Sequence, residues 1–345
     1  MRPKPAGGAP DPSPAGDVGL LRVEELRTHF KTRDGVIRAV DGVSFSLDEG
    51  EVLGVVGESG CGKSVMAQSV LRILPEPLGR ITGGAIHYRR AAGDTVDLAG
   101  YRADDEELRA LRGGEISMVF QEPMNSLHPI KTVGAQIIEA ILLHQDTDKR
   151  AARERAVELI DRVGIAAPAR RVDDYPGQMS GGMRQRVMIA MALSCNPRLL
   201  FADEPTTALD VTIQAQIVDL MLELHEAYGM SLVVITHNMG LVARMAQRVA
   251  VMYLGRIVEL TDVQSVFKRP LHPYTQGLLR SMPLRGVTKS TALEAIEGTV
   301  PSPYAQRRGC SFAPRCPHAE PRCFTDEPPV TATGEGHRVA CWLYE

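Results

Sequence analysis

Residues 57–64 read GESGCGKS, and this octet constrains the fold more than any other stretch of the chain. It meets G-x-x-x-x-G-K-S/T at every fixed position, a pattern that works only with a strand before it and a helix after it. The apolar run EVLGVVG ends at Gly57, and VMAQSVLRIL follows with helical spacing. Glycines let successive backbone N–H groups converge on phosphate oxygens without a Cβ clash, and the following helix adds its positive end. Lys63 supplies charge for the β- and γ-phosphates, and Ser64 offers a hydroxyl to Mg²⁺. The expected nucleotide-binding set is Gly57, Ser59, Gly60, Cys61, Gly62, Lys63, Ser64 and Val65. A chance glycine turn is the bland alternative, and the complete match with both flanks disfavours it. Cys61 reads as a small residue tolerated in the loop rather than as a redox group.

A second stretch completes a site. LLFADEP at 199–205 reads as a buried strand that delivers Asp203 and Glu204 to its C-terminal end. Asp203 is expected to share Mg²⁺ with Ser64, and Glu204 to polarise a water. An Asp-Glu pair after a strand is often no more than a helix cap, but here it follows a phosphate loop. Further strands are expected at LRVEELRTHFKT, VIRAVDGVSFSL, SLVVITH and RVAVMYLGRIVEL. From about 132 to 195 the apolar spacing turns helical. DVTIQAQIVDLMLELHEAYG is a helix with Ile213, Ile217, Leu220 and Leu224 on one face, ended by Gly229. Strands alternating with helices predict an α/β fold around a parallel sheet.

Composition sets limits. The 345 residues suggest two domains, or one with an extension. At 44% apolar and 23% charged residues, wholesale disorder is excluded. With 39 basic and 42 acidic residues, a broad basic nucleic-acid surface is not expected. No apolar run approaches the ~18 residues of a spanning helix. The start has no apolar core of a secretory signal, which predicts a soluble, intracellular chain. The expected division is a disordered proline- and glycine-rich tail over 1–19, a nucleotide-binding domain over 20–262 with a helical insertion at about 122–197, and an extension over 263–345. Within the extension, 297–330 reads as irregular.

Cys310, Cys316, Cys323 and Cys341 fall within the last 36 residues. Without a secretory signal, disulfides are disfavoured. Structural zinc would fit, although no C-x₂₋₄-C pair is present. An iron–sulfur cluster takes four thiolates at wider spacings.

Several short stretches then carry a family resemblance. QEP at 121–123, SGGMRQR at 180–186, ALD at 208–210 and THN at 236–238 occur in the order and rough spacing of ATP-binding-cassette (ABC) ATPases. MSGGM at 179–183 resembles that family's LSGGQ signature. The resemblance covers about 20–262 and implies a P-loop NTPase fold with a helical subdomain. It also implies roles: Gln121 as the Q-loop residue beside Mg²⁺, Asp210 as the dimer-loop residue, and Phe30 as the aromatic on adenine. Glu204 would be the general base and His237 the switch histidine. Two cassettes would pair head to tail, so that Ser180, Gly181, Gly182 and Met183 act in trans on the partner's ATP. The local reading of Ser180, a helix N-cap before two glycines, holds alongside this one. Met183 stands where the family usually has Gln, and Val65 where Thr is common; neither change removes a charged or catalytic group.

The resemblance narrows to ATP-binding subunits of bacterial oligopeptide and dipeptide importers through the signature region, QEPMNSLHP, HPYTQGLL at 272–279 and the tail CSFAPRCPHAEPRC. It implies ATP-driven peptide import with two transmembrane permease subunits and an extracytoplasmic solute-binding protein. A second, non-identical ATPase is implied by the Met after SGG, and no nucleic-acid partner is. The place of work would be the cytoplasmic face of the membrane. For the cysteines the resemblance favours a 4Fe-4S cluster, with Zn²⁺ second. His128, where Asn is more usual, departs from the pattern at the coupling surface. A nickel or other small-solute importer is the nearest alternative, ahead of a non-transport ATPase.

Overall fold

Side-chain alternation sorts the strands into two kinds. In β1 (Leu21–Thr32) and β2 (Gly35–Leu47), buried residues alternate with half-exposed ones, as expected of strands covered on one face. The two pair antiparallel around the turn at Arg33 and Asp34. β4 (Gly79–Arg89) flanks β1 on its other side, and β5 (Thr95–Asp97) closes a four-stranded antiparallel sheet in the order β2-β1-β4-β5. By contrast β3 (Val52–Val56), β6 (Ile116–Val119), β7 (Leu199–Asp203) and β8 (Ser231–Thr236) are buried at every position. Continuous burial marks strands covered on both faces, and these four run parallel.

This computed structural model describes residues 18–121, 126–207, 209–281, 296–304, 308–334 and 336–345. The expected tail over 1–17, Glu122 and Pro123 of the QEP stretch, and Ala208 lie outside the described residues.

The parallel strands continue through β9 (Arg248–Tyr253) and β10 (Arg256–Asp262), an antiparallel pair turning at Leu254 and Gly255. The larger sheet ends with a hairpin of β11 (Val330–Gly334) and β12 (His337–Ala340), giving the order β11-β12-β10-β9-β3-β8-β7-β6. Successive residues of β3 feed opposite cores. Leu53 and Val55 pack with Leu21, Phe45, Met66 and Tyr88 towards the antiparallel sheet. Val52 and Val56 pack with Ile137, Val187, Ile217 and Leu232 on the helical side. The period-two geometry of a strand produces this two-sided layering.

The three long helices of the insertion start on side-chain caps. Thr132 caps Val133–His144, Asp148 caps Lys149–Arg162, and Ser180 caps Gly181–Ala192. An N-cap of this type contributes about 1 kcal/mol. The helix Val211–Tyr228 buries Ile217, Leu220 and Leu224, with Ile213 partly buried, and ends on Gly229 at φ 61°. Among the described residues, no helix is long and apolar enough to cross a membrane.

The extension is fastened to the sheet by one buried carboxylate. Glu259 of β10, 1% exposed, accepts the N–H groups of Leu271 and His272 at 2.8 and 2.9 Å and bonds His337 Nε2 at 2.8 Å. Between these anchors the chain turns in short 3-10 segments, Ala313–Arg315 and Pro321–Phe324. Phe312 and Tyr274 pack their rings on Tyr253 of β9 with centroids 4.6–5.4 Å apart, which joins the extension to the core on the helical side of the sheet. The β11–β12 hairpin is a feature that sequence patterning did not place. Its strands are five and four residues long, and β11 has no buried residue, so hydrophobicity does not mark it.

Candidate active site

The phosphate loop joins β3 to the helix Lys63–Val70. Gly62 sits at φ 100°, and a Cβ there would lie 2.0 Å from the Ala39 carbonyl oxygen. A Cβ on Gly57 would lie 2.2 Å from the Met252 carbonyl oxygen. Both positions therefore require glycine for packing as well as for access to phosphate. Lys63 is 5% exposed; its Nζ donates to the Gly57 and Glu58 carbonyls at 2.8 and 3.0 Å. Its charge is thus held inside the curve of the loop. Burial pushes the Cys61 thiol up despite the neighbouring Lys63. A buried, protonated thiol is an unreactive one.

At the end of β7, Asp203 and Glu204 diverge in environment. Asp203 is 3% exposed, and its Oδ1 has no protein partner. Burial pushes its carboxyl up, the charge of Glu204 adds to this, and Ser64 and Lys63 oppose it. A buried, half-unsatisfied carboxylate beside a serine hydroxyl is a hard oxygen-donor set, the kind Mg²⁺ takes. Ser64 and Asp203 therefore fit the cation, which would supply charge neutralisation between β- and γ-phosphates when bound. Gln121, the third expected contact, is drawn to Glu204 instead, with Nε2 3.0 Å from Oε2.

Glu204 takes φ 46°, a left-handed backbone that is costly for a non-glycine residue and concentrated at functional sites. Three side chains fix its carboxylate. Thr207 Oγ1 donates at 2.7 Å, Gln121 Nε2 at 3.0 Å, and His237 Nδ1 lies 3.1 Å from Oε1. Burial pushes the Glu204 carboxyl up, but the bonds from Thr207 and His237 outweigh it and leave it below its ordinary value. It is thus an ionised, oriented carboxylate. His237 stands at the end of β8, where Asn238 caps the next helix with Oδ1 accepting from Gly240 at 2.9 Å. Thr207 was not singled out from sequence; its place three residues after Glu204 was the only signal.

The other expected residues lie elsewhere. Phe30 is half-buried on β1, its ring against Gly79, where a Cβ would come within 2.7 Å of Cε1. Ser180 is exposed, and its Oγ accepts from Met183 N at 3.3 Å, so the N-terminus of the helix Gly181–Ala192 opens to solvent. Asp210 is also exposed and caps Val211–Tyr228 through Ile213 N at 2.9 Å. Gly182 approaches Ile213 so closely that a Cβ would lie 3.0 Å from its Cγ2. That approach holds the two helix starts beside each other. No hydrogen bond or ion pair joins residues 180–183 to the phosphate loop among the described residues.

Cys310, Cys316, Cys323 and Cys341 line one cavity with His272, Phe312 and Trp342. Burial pushes the thiols of Cys310 and Cys316 up, and that of Cys341 to about 11. Among the described residues, no three His, Cys, Asp or Glu side chains converge as a metal site would require. The thiols are gathered but not in ligating geometry.

A glycine loop holding a buried lysine, an acid pair at the end of β7 and an exposed, capped SGG helix define a nucleotide hydrolase of the cassette class. Comparison with known proteins agrees. The family model described as ABC transporter matches residues 40–207, and that for the oligopeptide/dipeptide transporter C-terminal region matches 258–323. A Brucella abortus protein with the provisional name peptide import ATP-binding protein is 51% identical over 327 residues, covering 93% of this chain and 96% of the relative. The dipeptide transport ATP-binding protein DppD of Escherichia coli is 47% identical over 324 residues, covering 94% and 96%. Among solved structures, the dimeric ATP-binding cassette MJ0796 in a post-hydrolysis state with ADP and Pi aligns at a TM-score of 0.62 and 27% identity, over 71% of this chain and 99% of that one. The chain belongs to the ABC transporter family, and its site is that of an ATPase.

Proposed function

We propose that this chain is the ATP-hydrolysing subunit that energises import of di- or oligopeptides through separate permease subunits. The observation that carries the hydrolytic part is the Glu204 carboxylate, ionised and held by Thr207, Gln121 and His237 one residue beyond Asp203. Gly57, Ser59, Gly60, Cys61, Gly62, Lys63, Ser64 and Val65 bind the nucleotide, and Phe30 stacks on adenine. Ser64 and Asp203 hold Mg²⁺, with Gln121 beside it. Glu204 takes the proton of the attacking water, and His237 keeps water and γ-phosphate in line.

The exposed starts of the two helices at Ser180 and Asp210 support pairing with a second cassette. Each ATP then lies between one subunit's phosphate loop and the other's Ser180–Met183 segment. The solved relative in this comparison is a dimer. The partner here is a second, non-identical ATPase. Closure on ATP and opening after hydrolysis are transmitted to two permeases at the cytoplasmic face, and a solute-binding protein supplies the peptide. The chain divides into a cassette over 20–262 and an extension over 263–345.

Within the extension, the four cysteines hold a 4Fe-4S cluster, with Zn²⁺ as the competing occupant. Support comes from four soft donors around one cavity. Its role is structural, since ATP hydrolysis needs no redox step.

Uptake decides the substrate class. Cells lacking this chain should lose ATP-dependent accumulation of labelled peptides and regain it with the intact chain. Unchanged peptide uptake together with lost nickel uptake would replace the peptide reading.

A further inference from the structure

The extension reaches the phosphate loop itself. Arg315 grips Glu58, the second residue of the loop, in a fork: Nη1 to Oε2 at 2.7 Å and Nη2 to Oε1 at 3.0 Å. The arginine side chain is only 4% exposed, so this pair is little screened by solvent. The guanidinium is itself held. Nε donates to the Glu297 carbonyl at 3.1 Å, and its carbon lies 5.9 Å from the ring centroids of Tyr253 and Phe312. On the backbone side, the hydroxyl of Tyr274, a residue of HPYTQGLL, accepts the Glu58 N–H at 2.8 Å. The Glu58 carbonyl in turn accepts from Lys63 Nζ. Two residues more than 200 positions away in sequence therefore fix the loop at side chain and backbone.

We infer that Arg315 and Tyr274 are positioning residues for nucleotide binding, and that the extension is a brace for the phosphate loop. A glycine-rich loop has many conformations to lose on binding, and holding one of them in advance removes that cost. Arg315 is suited because a planar, bidentate guanidinium fixes the direction of a carboxylate, which a lysine cannot do. The inference rests on the phosphate loop being the ATP site, and gives a purpose to two segments that the hydrolytic chemistry leaves unused.

The test uses the full chain, titrated with a fluorescent ATP analogue in Mg²⁺, and the assembled complex for steady-state kinetics. Arg315→Met should weaken ATP binding and raise KM by about tenfold, with kcat changed by less than about twofold. Arg315→Lys should recover part of the affinity, and Tyr274→Phe should show a smaller loss. Glu58→Gln combined with Arg315→Met should bind no more weakly than Arg315→Met alone, because both remove one interaction. Arg150→Met, an exposed arginine of the helical insertion, serves as the control. Wild-type affinity in a folded Arg315→Met chain, or multiplying losses in the double variant, would overturn the brace. If Arg315→Met does not fold, wild-type affinity in both Glu58→Gln and Tyr274→Phe overturns it equally. Undiminished binding by Lys63→Ala would strike the ATP site itself and is read separately.

Discussion

The phosphate loop and the cysteine-lined cavity are both buried clusters of donors, yet only one is finished by the protein alone. In the loop, Lys63 is held by two carbonyls, Ser64 meets Asp203, and Glu204 is oriented by three partners. In the cavity, four thiols share a wall without converging. The difference follows from what builds each site. Backbone geometry and short strands fix the loop, whereas the cysteines sit on 3-10 turns and strand ends that leave the thiols apart. A preorganised site binds its ligand with little rearrangement, whereas gathered but unconverged thiols would have to move to close on a metal.

The contrast can be broken from either side. A large effect is expected from Lys63→Ala, which removes the positive charge held inside the curve of the loop. ATP binding should weaken by about 10- to 100-fold, measured by equilibrium titration, with little change in the melting temperature. Binding within twofold of the intact chain would mean the loop is not the principal contact.

On the cavity side, protein purified without oxygen should be brown, bleach with dithionite and carry about four irons per chain. Each Cys→Ser change at 310, 316, 323 or 341 should remove the colour and lower the melting temperature. A colourless preparation with one zinc per chain would install Zn²⁺ instead, and one with neither metal would reduce the cavity to packing.

The smallest effect sharpens how the extension is held. Burial pushes His272, 1% exposed, down to about 3. The unfolded chain therefore binds a proton between pH ~6.5 and ~3 that the folded chain refuses. Stability from this group is complete above pH ~6.5 and is lost as pH falls. Between pH 7 and 5, urea unfolding should show about 2 kcal/mol of loss from His272, a loss that His272→Gln should lack. An equal slope in both chains would contradict the assignment.

Legibility in the sequence followed the same divide. GESGCGKS and LLFADEP each carry their geometry locally, in a strand, a turn and a helix start, so Lys63, Ser64, Asp203 and Glu204 could be paired before any coordinates. The cap at Ser180 was equally local. The bond from Gln121 to Glu204 could not be read this way, because it depends on how the ends of β6 and β7 meet, and Thr207, though local to Glu204, carries no motif. Arg315 and Tyr274 were invisible as site residues for a stronger reason. Their contact with Glu58 crosses 257 and 216 positions and involves no periodic pattern. The β11–β12 hairpin escaped notice because its strands are short and it joins the sheet through β10, a contact about 80 residues away in sequence.

One measurement bears most directly on the assignment of this chain as the motor. In the assembled complex, Glu204→Gln should keep ATP binding within about twofold while turnover at its site falls by about 10²- to 10³-fold, followed as single-turnover hydrolysis of labelled ATP. Retained binding with abolished turnover is the result predicted by a carboxylate held ionised and aimed by Thr207, Gln121 and His237. Hydrolysis at the intact rate would show that another group activates the water.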